Sequence, residues 1–215
     1  TGEGILSTEF KGLIVQHDIM EDFNVFEMML FTLWIYLPGF LVNTFAMMWG
    51  KWLPKTGYGP WPIDGGRLHK DGNRLLGDGK TWNGLIGGSL TSGLLCYLMT
   101  MVPENWVFIS PTEAATGWAA SAFVMGTFLG FTSLVGDSTG SYFKRRKGMK
   151  REGNVSSKAP LLDTLPFAIS VFIFGQIFLT GSAHGDRDLI LPMVLLVVIT
   201  PVLHRSFNLI GYKIG

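Results

Sequence analysis

The chain has 215 residues, 47% of them apolar and 13% aromatic, with 28 glycines and a mean hydropathy of +0.33. That is too hydrophobic for an ordinary soluble domain and fits a single membrane-embedded domain over residues 1–215. A net charge of +1 argues against a nucleic-acid partner, and the lone Cys96 excludes an internal disulfide and a cysteine-based zinc site.

Residues 1–22 open without Met and have no apolar core behind a basic start, so they do not read as a signal peptide. They are expected to be a short extracytoplasmic segment or added sequence. Crossing a bilayer takes about 20 mostly apolar residues in a helix, because the hydrocarbon layer is about 30 Å thick. Four stretches free of Asp, Glu, Lys and Arg meet this, at 28–50, 81–103, 114–136 and 164–185. A fifth, 189–203, is shorter but runs on through His204 and Arg205 into Leu209, Ile210 and Gly211. The expected fold is all-α, with about five transmembrane helices. Gly84 and Gly88, and Gly126 and Gly130, recur at four-residue spacing inside spans, as helices in close contact require.

Between the first two spans lie Lys51, Lys55, Arg67, Lys70, Arg74 and Lys80; between the third and fourth lie Lys144, Arg145, Arg146, Lys147, Lys150, Arg151 and Lys158. With Arg205 and Lys213, fifteen of the seventeen basic residues fall on one side, which the positive-inside rule makes cytoplasmic. The N-terminus is therefore expected outside, and the C-terminus and both long loops inside. Insertion rules do not account for Asp64, Asp71, Asp78, Asp137 and Asp163, which sit among these cations near a surface that is itself usually anionic. A bound divalent metal is the economical explanation.

In the run from Gly77 to Gly84, Lys80 and Thr81 stand where the second span begins, beside the flexible Gly79. Unpaired N–H groups at a helix start favour anions, so this reads as a phosphate site, although the spacing is not that of a Walker A loop. The run from Gly136 to Arg146 puts Asp137 at the end of the third span and Lys144, Arg145 and Arg146 about two turns later. Lys and Arg together suit a polyphosphate.

The segments Tyr36 to Asn43, Pro62 to Arg67, Asp71 to Gly84 and Gly136 to Arg146, followed by Leu162-Asp163, resemble the archaeal CDP-archaeol synthase family in consistent order. The resemblance implies a membrane enzyme that joins CTP to 2,3-di-O-geranylgeranylglyceryl phosphate with magnesium and releases pyrophosphate. A weaker likeness reaches phosphatidate cytidylyltransferases, whose Lys-Lys-Thr-Trp-Glu-Gly is similar to Gly79 to Gly84 and whose Ser-x-Phe-Lys-Arg matches Ser141 to Arg145. Their closing Asp-Arg-x-Asp is incomplete here, where Asp163-Thr164-Leu165-Pro166 stands.

On that reading Asp137 and Asp163 hold magnesium, with Asp64 and Asp78 as further metal candidates and Asp78 near the chemistry. Lys80, Lys144, Arg145 and Arg146 neutralise the CTP phosphates, and Thr81 and the Gly79 backbone add hydrogen bonds. Asn43 reaches the ribose or base, or else makes an interhelical hydrogen bond; Arg67 and Arg74 hold the lipid phosphate, or are solvated loop cations. A phosphomonoester is already nucleophilic, so no catalytic Ser, Cys or His is needed. Two rivals remain at this stage. A CDP-alcohol phosphotransferase would show Ala-Arg where Leu75-Leu76 stand, and a transporter would place ionisable residues in mid-span.

Overall fold

The computed structural model describes residues 24–101, 118–149, 160–179 and 190–214, which contain five α-helices, one short 3-10 helix and no β-strand beyond two isolated bridges. The helices are α1 (Val25–Trp52), α2 (Trp82–Met99), α3 (Trp118–Arg146), α4 (Pro160–Phe178) and α5 (Ile190–Ile214). The all-α expectation is met. Asn24 starts α1 with a capping box, its side chain accepting from the Phe26 and Glu27 N–H groups while Glu27 accepts from the Asn24 N–H.

Two boundaries differ from expectation in a way that matters for the site. The third apolar run ends at Gly136, but α3 continues to Arg146, so Asp137 and Lys144 to Arg146 are helical residues and not loop residues. Ser138 and Thr139 tolerate this because their hydroxyls donate back to the Leu134 and Val135 carbonyls, at 2.8 and 2.9 Å. Likewise α4 begins at Pro160, a residue suited to a first helical turn, which puts Asp163 on the helix.

The helices pack through small residues. A Cβ at Gly84 would lie 2.8 Å from the Ala46 carbonyl oxygen of α1, and one at Gly88 3.1 Å from the Ala46 backbone. Gly126 abuts Cys96 and Gly130 abuts Ser92, both on α2, while Gly136 and Gly140 lie against the Pro166 and Leu162 carbonyls of α4. Aromatic edges fill the centre, with Tyr36 meeting Phe172 at 5.1 Å between centroids and Phe40 meeting Phe167 at 5.6 Å. Because backbone blocks the space, Gly84→Ala is expected to cost about 1–3 kcal/mol, seen as a lower melting temperature in detergent.

The outside carries the opposite chemistry. Ile86, Leu90, Leu94 and Leu98 form an exposed row on α2, Ile169, Ile173 and Ile177 on α4, and Val194, Val198 and Val202 on α5. Apolar rows outside with Ser, Thr and Gly inside are the arrangement of helices solvated by lipid, where close approach and not water exclusion drives association. By length and apolarity alone, the 32-residue stretch Val25–Thr56 suffices to span a bilayer, and Thr164–Phe178 and Ile190–Val202 are shorter apolar helices.

Candidate active site

Residues 53–81 cap one end of the bundle. After the 3-10 turn Leu53–Thr56, the chain returns to α2 through an antiparallel bridge between Pro62 and Thr81, with the Ile63 N–H donating to the Lys80 carbonyl (2.8 Å) and the Trp82 N–H to the Trp61 carbonyl (2.9 Å). Asn83, 5% exposed, ties this return down by donating from Nδ2 to the Tyr58 carbonyl at 3.0 Å. A second bridge, Leu68 with Arg74, closes a tight turn in which Asp71 accepts from the Asn73 N–H at 3.0 Å.

Asp64 is the centre of the cap. Its side chain is 1% exposed, and its carboxylate accepts from Arg74 Nη2 (2.6 Å) and Nε (3.2 Å) and from the N–H groups of Gly66 (3.1 Å), Leu76 (3.0 Å) and Gly77 (3.0 Å). Gly66 and Gly77 take φ of +83° and +97°, values a Cβ would strain, and so can turn their N–H groups onto one carboxylate. The Arg74 guanidinium, followed by these backbone donors, holds the Asp64 carboxyl well below the usual carboxylate range, and Asp64 raises Arg74 in return. Arg74 also donates to Asp78, at 2.7 Å. Asp64, expected as a metal or nucleotide ligand, thus has its oxygens occupied by the loop it organises, and Arg74, expected at the lipid phosphate, is its counter-charge.

Lys80 reaches from the cap to α3 and forms an ion pair with Asp137, both largely shielded, at 22% and 13% side-chain exposure. Thr81 is buried and its hydroxyl accepts from the Gly84 N–H at 3.1 Å, making it the cap of α2; with the Trp82 N–H also paired, much of that helix start is already satisfied. Gly79, Asp78 and Arg67 are exposed. Arg145 lies beside Gly77 and donates to the Leu76 carbonyl at 3.4 Å and to the Met149 carbonyl. Arg146 donates to Asp71 at 2.7 Å and to the carbonyls of Arg74 (2.7 Å) and Asn73 (3.4 Å), with its guanidinium 5.2 Å above the Tyr142 ring. The Asn73 N–H, then the Arg146 charge, lower the Asp71 carboxyl.

On α1, the Gly39 carbonyl accepts from the Ser133 hydroxyl of α3 at 2.9 Å. The same α1–α3 contact includes Val42, the residue before Asn43, whose side chain lies against Gly130. Asn43 Nδ2 is buried with no hydrogen-bond partner among the described residues. Asp163 is in the first turn of α4, whose Leu162 carbonyl touches Gly140; its side chain lies outside the described residues. Among the described residues no three His, Cys, Asp or Glu side chains converge on one point. Between the cap and α3 an open cavity of about 270 Å³ is lined by Ile63, Leu76, Leu85, Val135, Ser138, Thr139 and Tyr142. The roles of Asn83 and Tyr142 were not read from the sequence; the signal for Asn83 was a polar residue near the start of a span, four after Gly79 and directly before Gly84.

A bundle of five helices with apolar rows on the outside of α2, α4 and α5, small residues at its contacts and a charged, closely bonded cap over one end has the form of an integral membrane protein with a polar site at the end of its bundle. The family model of CarS-like proteins, CDP-archaeol synthase, matches residues 25–215. The CDP-archaeol synthase of Methanosarcina barkeri is 35% identical over 191 residues, covering 83% of this chain and 96% of that one, and that of Picrophilus torridus is 35% identical over 193 residues, covering 87% and 94%. A solved structure described as an intramembrane enzyme for archaeal membrane lipids biosynthesis superposes with a TM-score of 0.57 at 25% identity, covering 86% of this chain and 95% of the other. The chain belongs to the CDP-archaeol synthase family.

Proposed function

We propose that the protein transfers CMP from CTP to the phosphate of an archaeal ether lipid, 2,3-bis-O-geranylgeranylglyceryl phosphate, releasing pyrophosphate and forming a CDP-lipid. The observation that carries this reading is the Lys80–Asp137 pair, which sets a cation and a carboxylate side by side, both largely shielded, where the cap meets α3. With all five helices crossing the bilayer, the concentration of Lys and Arg at this end of the bundle would put it at the cytoplasmic face and the N-terminus outside.

Nucleotidyl transfer needs an in-line approach of the lipid phosphate oxygen to the α-phosphorus of CTP, together with neutralisation of the gathering negative charge. Lys80 would leave Asp137 for the nucleotide phosphates, with Lys144 and Arg145 supplying further positive charge from α3 and the cap. Asn43 would use its unpaired amide on the ribose or base. Arg67 is the exposed cation for the lipid phosphate, and Asp78 and Gly79 border the nucleotide. Asp137 on α3, and Asp163 in the first turn of α4, would hold magnesium, which commonly takes one or two carboxylates and completes its shell with substrate phosphates. Bound magnesium would neutralise phosphate charge and help align the leaving pyrophosphate.

Lys80→Met removes a charge-assisted bond of about 1.5–3 kcal/mol and is expected to lower kcat/KM for CTP roughly ten- to hundredfold. The test of the function is turnover by detergent-purified protein with magnesium, CTP and either ether-linked or ester-linked lipid phosphate. A CDP-lipid from the ether acceptor, with pyrophosphate released, supports the reading; release of free CMP, or no product, overturns it.

A further inference from the structure

Arg146 is the third member of a basic run whose composition suits a polyphosphate, but the structure gives its guanidinium other work. Nη1 donates to Asp71 and Nη2 to the carbonyls of Arg74 and Asn73, so the hydrogen bonds of its two amino groups all go to the 71–74 turn of the cap, while Nε is buried with no partner among the described residues. One face of the group is covered by Tyr142, one turn earlier on α3, and its side chain is 17% exposed. The turn it grips contains Arg74, whose side chain clamps Asp64; Asp64 in turn holds the Leu76 and Gly77 N–H groups, and the Gly77 carbonyl accepts from the Lys80 N–H at 3.2 Å. A chain of hydrogen bonds therefore runs from the end of α3 through the cap to the backbone of Lys80, whose amine meets Asp137 back on α3.

We propose that Arg146 is a positioning residue: it staples the 71–74 turn to α3, so that Lys80 and Asp137 face each other, and it does not itself bind nucleotide phosphate. A planar fork is needed, since one group must satisfy a carboxylate and two carbonyls while lying flat on a ring; an ammonium cannot do all of this. Lys144 and Arg145 are the members of the run assigned to the phosphates under the proposed function. The proposal rests on the cytidylyl-transfer reading for its kinetics, but its structural part does not.

Asp71 separates the two roles. If Arg146 is a staple, Asp71→Asn and Arg146→Gln each lower kcat/KM about tenfold through kcat, with KM for CTP little changed, and the double variant is no worse than either single one because both cut the same tie. Arg146→Lys then resembles Arg146→Gln. If Arg146 is a phosphate ligand, Asp71→Asn frees it and leaves kcat/KM intact or raised, Arg146→Gln raises KM for CTP, and Arg146→Lys recovers most of the loss; that result overturns the proposal. Limited trypsinolysis in detergent without CTP gives a readout independent of turnover. Cleavage after Arg67 is expected to accelerate severalfold in both Asp71→Asn and Arg146→Gln, and unchanged rates overturn the staple. A wild type that makes no CDP-lipid would count against the functional reading alone, leaving the proteolysis to decide the role of Arg146.

Discussion

Asp137→Asn is expected to reduce magnesium-dependent CDP-lipid formation about a thousandfold while folded protein remains in the membrane. The side chain sits where α3 leaves the level of the apolar spans, shielded to 13% exposure and paired with Lys80. Asn keeps the volume and one hydrogen-bond acceptor but removes the charge, so the packing of α3 on α4 through Gly136 and Gly140 should survive. What is lost is the carboxylate that pairs with Lys80 and that, on the proposed function, would hold the metal. Steady-state turnover over a range of magnesium concentrations, alongside size-exclusion elution of the variant, checks this. Near-normal turnover would remove Asp137 from the chemistry.

Arg74→Ala should have the largest structural effect. Asp64 is 1% exposed and would be left as a buried carboxylate with three backbone donors and no counter-charge. Breaking a buried pair from one side costs about 3–5 kcal/mol, which for a domain of this size corresponds to a fall of roughly 10 °C in melting temperature. The pH dependence has a definite sign. Because Arg74 lowers the folded-state pKa of Asp64, the pair stabilises fully above the ordinary carboxylate value of about 4, and this contribution fades only as pH falls through the lowered folded value. The wild-type cap is therefore expected to keep its protease resistance well below pH 4. In Arg74→Ala, where that lowering is removed, resistance should fail at a less acidic pH.

How far the sequence foretold this arrangement depends on which physical constraint was in force. The helices were legible because a span must keep its apolar run, and the four-residue glycine spacing marked the contacts of Gly84 and Gly88 with Ala46. Hydropathy, however, reports where lipid ends and not where a helix ends, so the continuation of α3 through Asp137 to Arg146 was missed. The same blindness set the start of α4 after Asp163. Within the site, the type of chemistry was readable from carboxylates, cations and glycines gathered on one side, but their pairing was not. Asp64 finds Arg74 ten residues away, and Arg146 finds Asp71 across 75 positions, only after a turn has folded. The one local clue was Asp64 followed by Gly65 and Gly66, both of which take positive φ.

On the proposed function, the paired Lys80 and Asp137 serve transfer of CMP to a lipid phosphate. Its most direct measurement follows the two ends of CTP, labelled separately at the α- and γ-phosphates, through a single turnover by purified protein with ether-linked lipid phosphate and magnesium. The account predicts α-label in the lipid, γ-label in pyrophosphate, and loss of both transfers in Asp137→Asn. Recovery of γ-label in the lipid, or of α-label as free CMP, would contradict it.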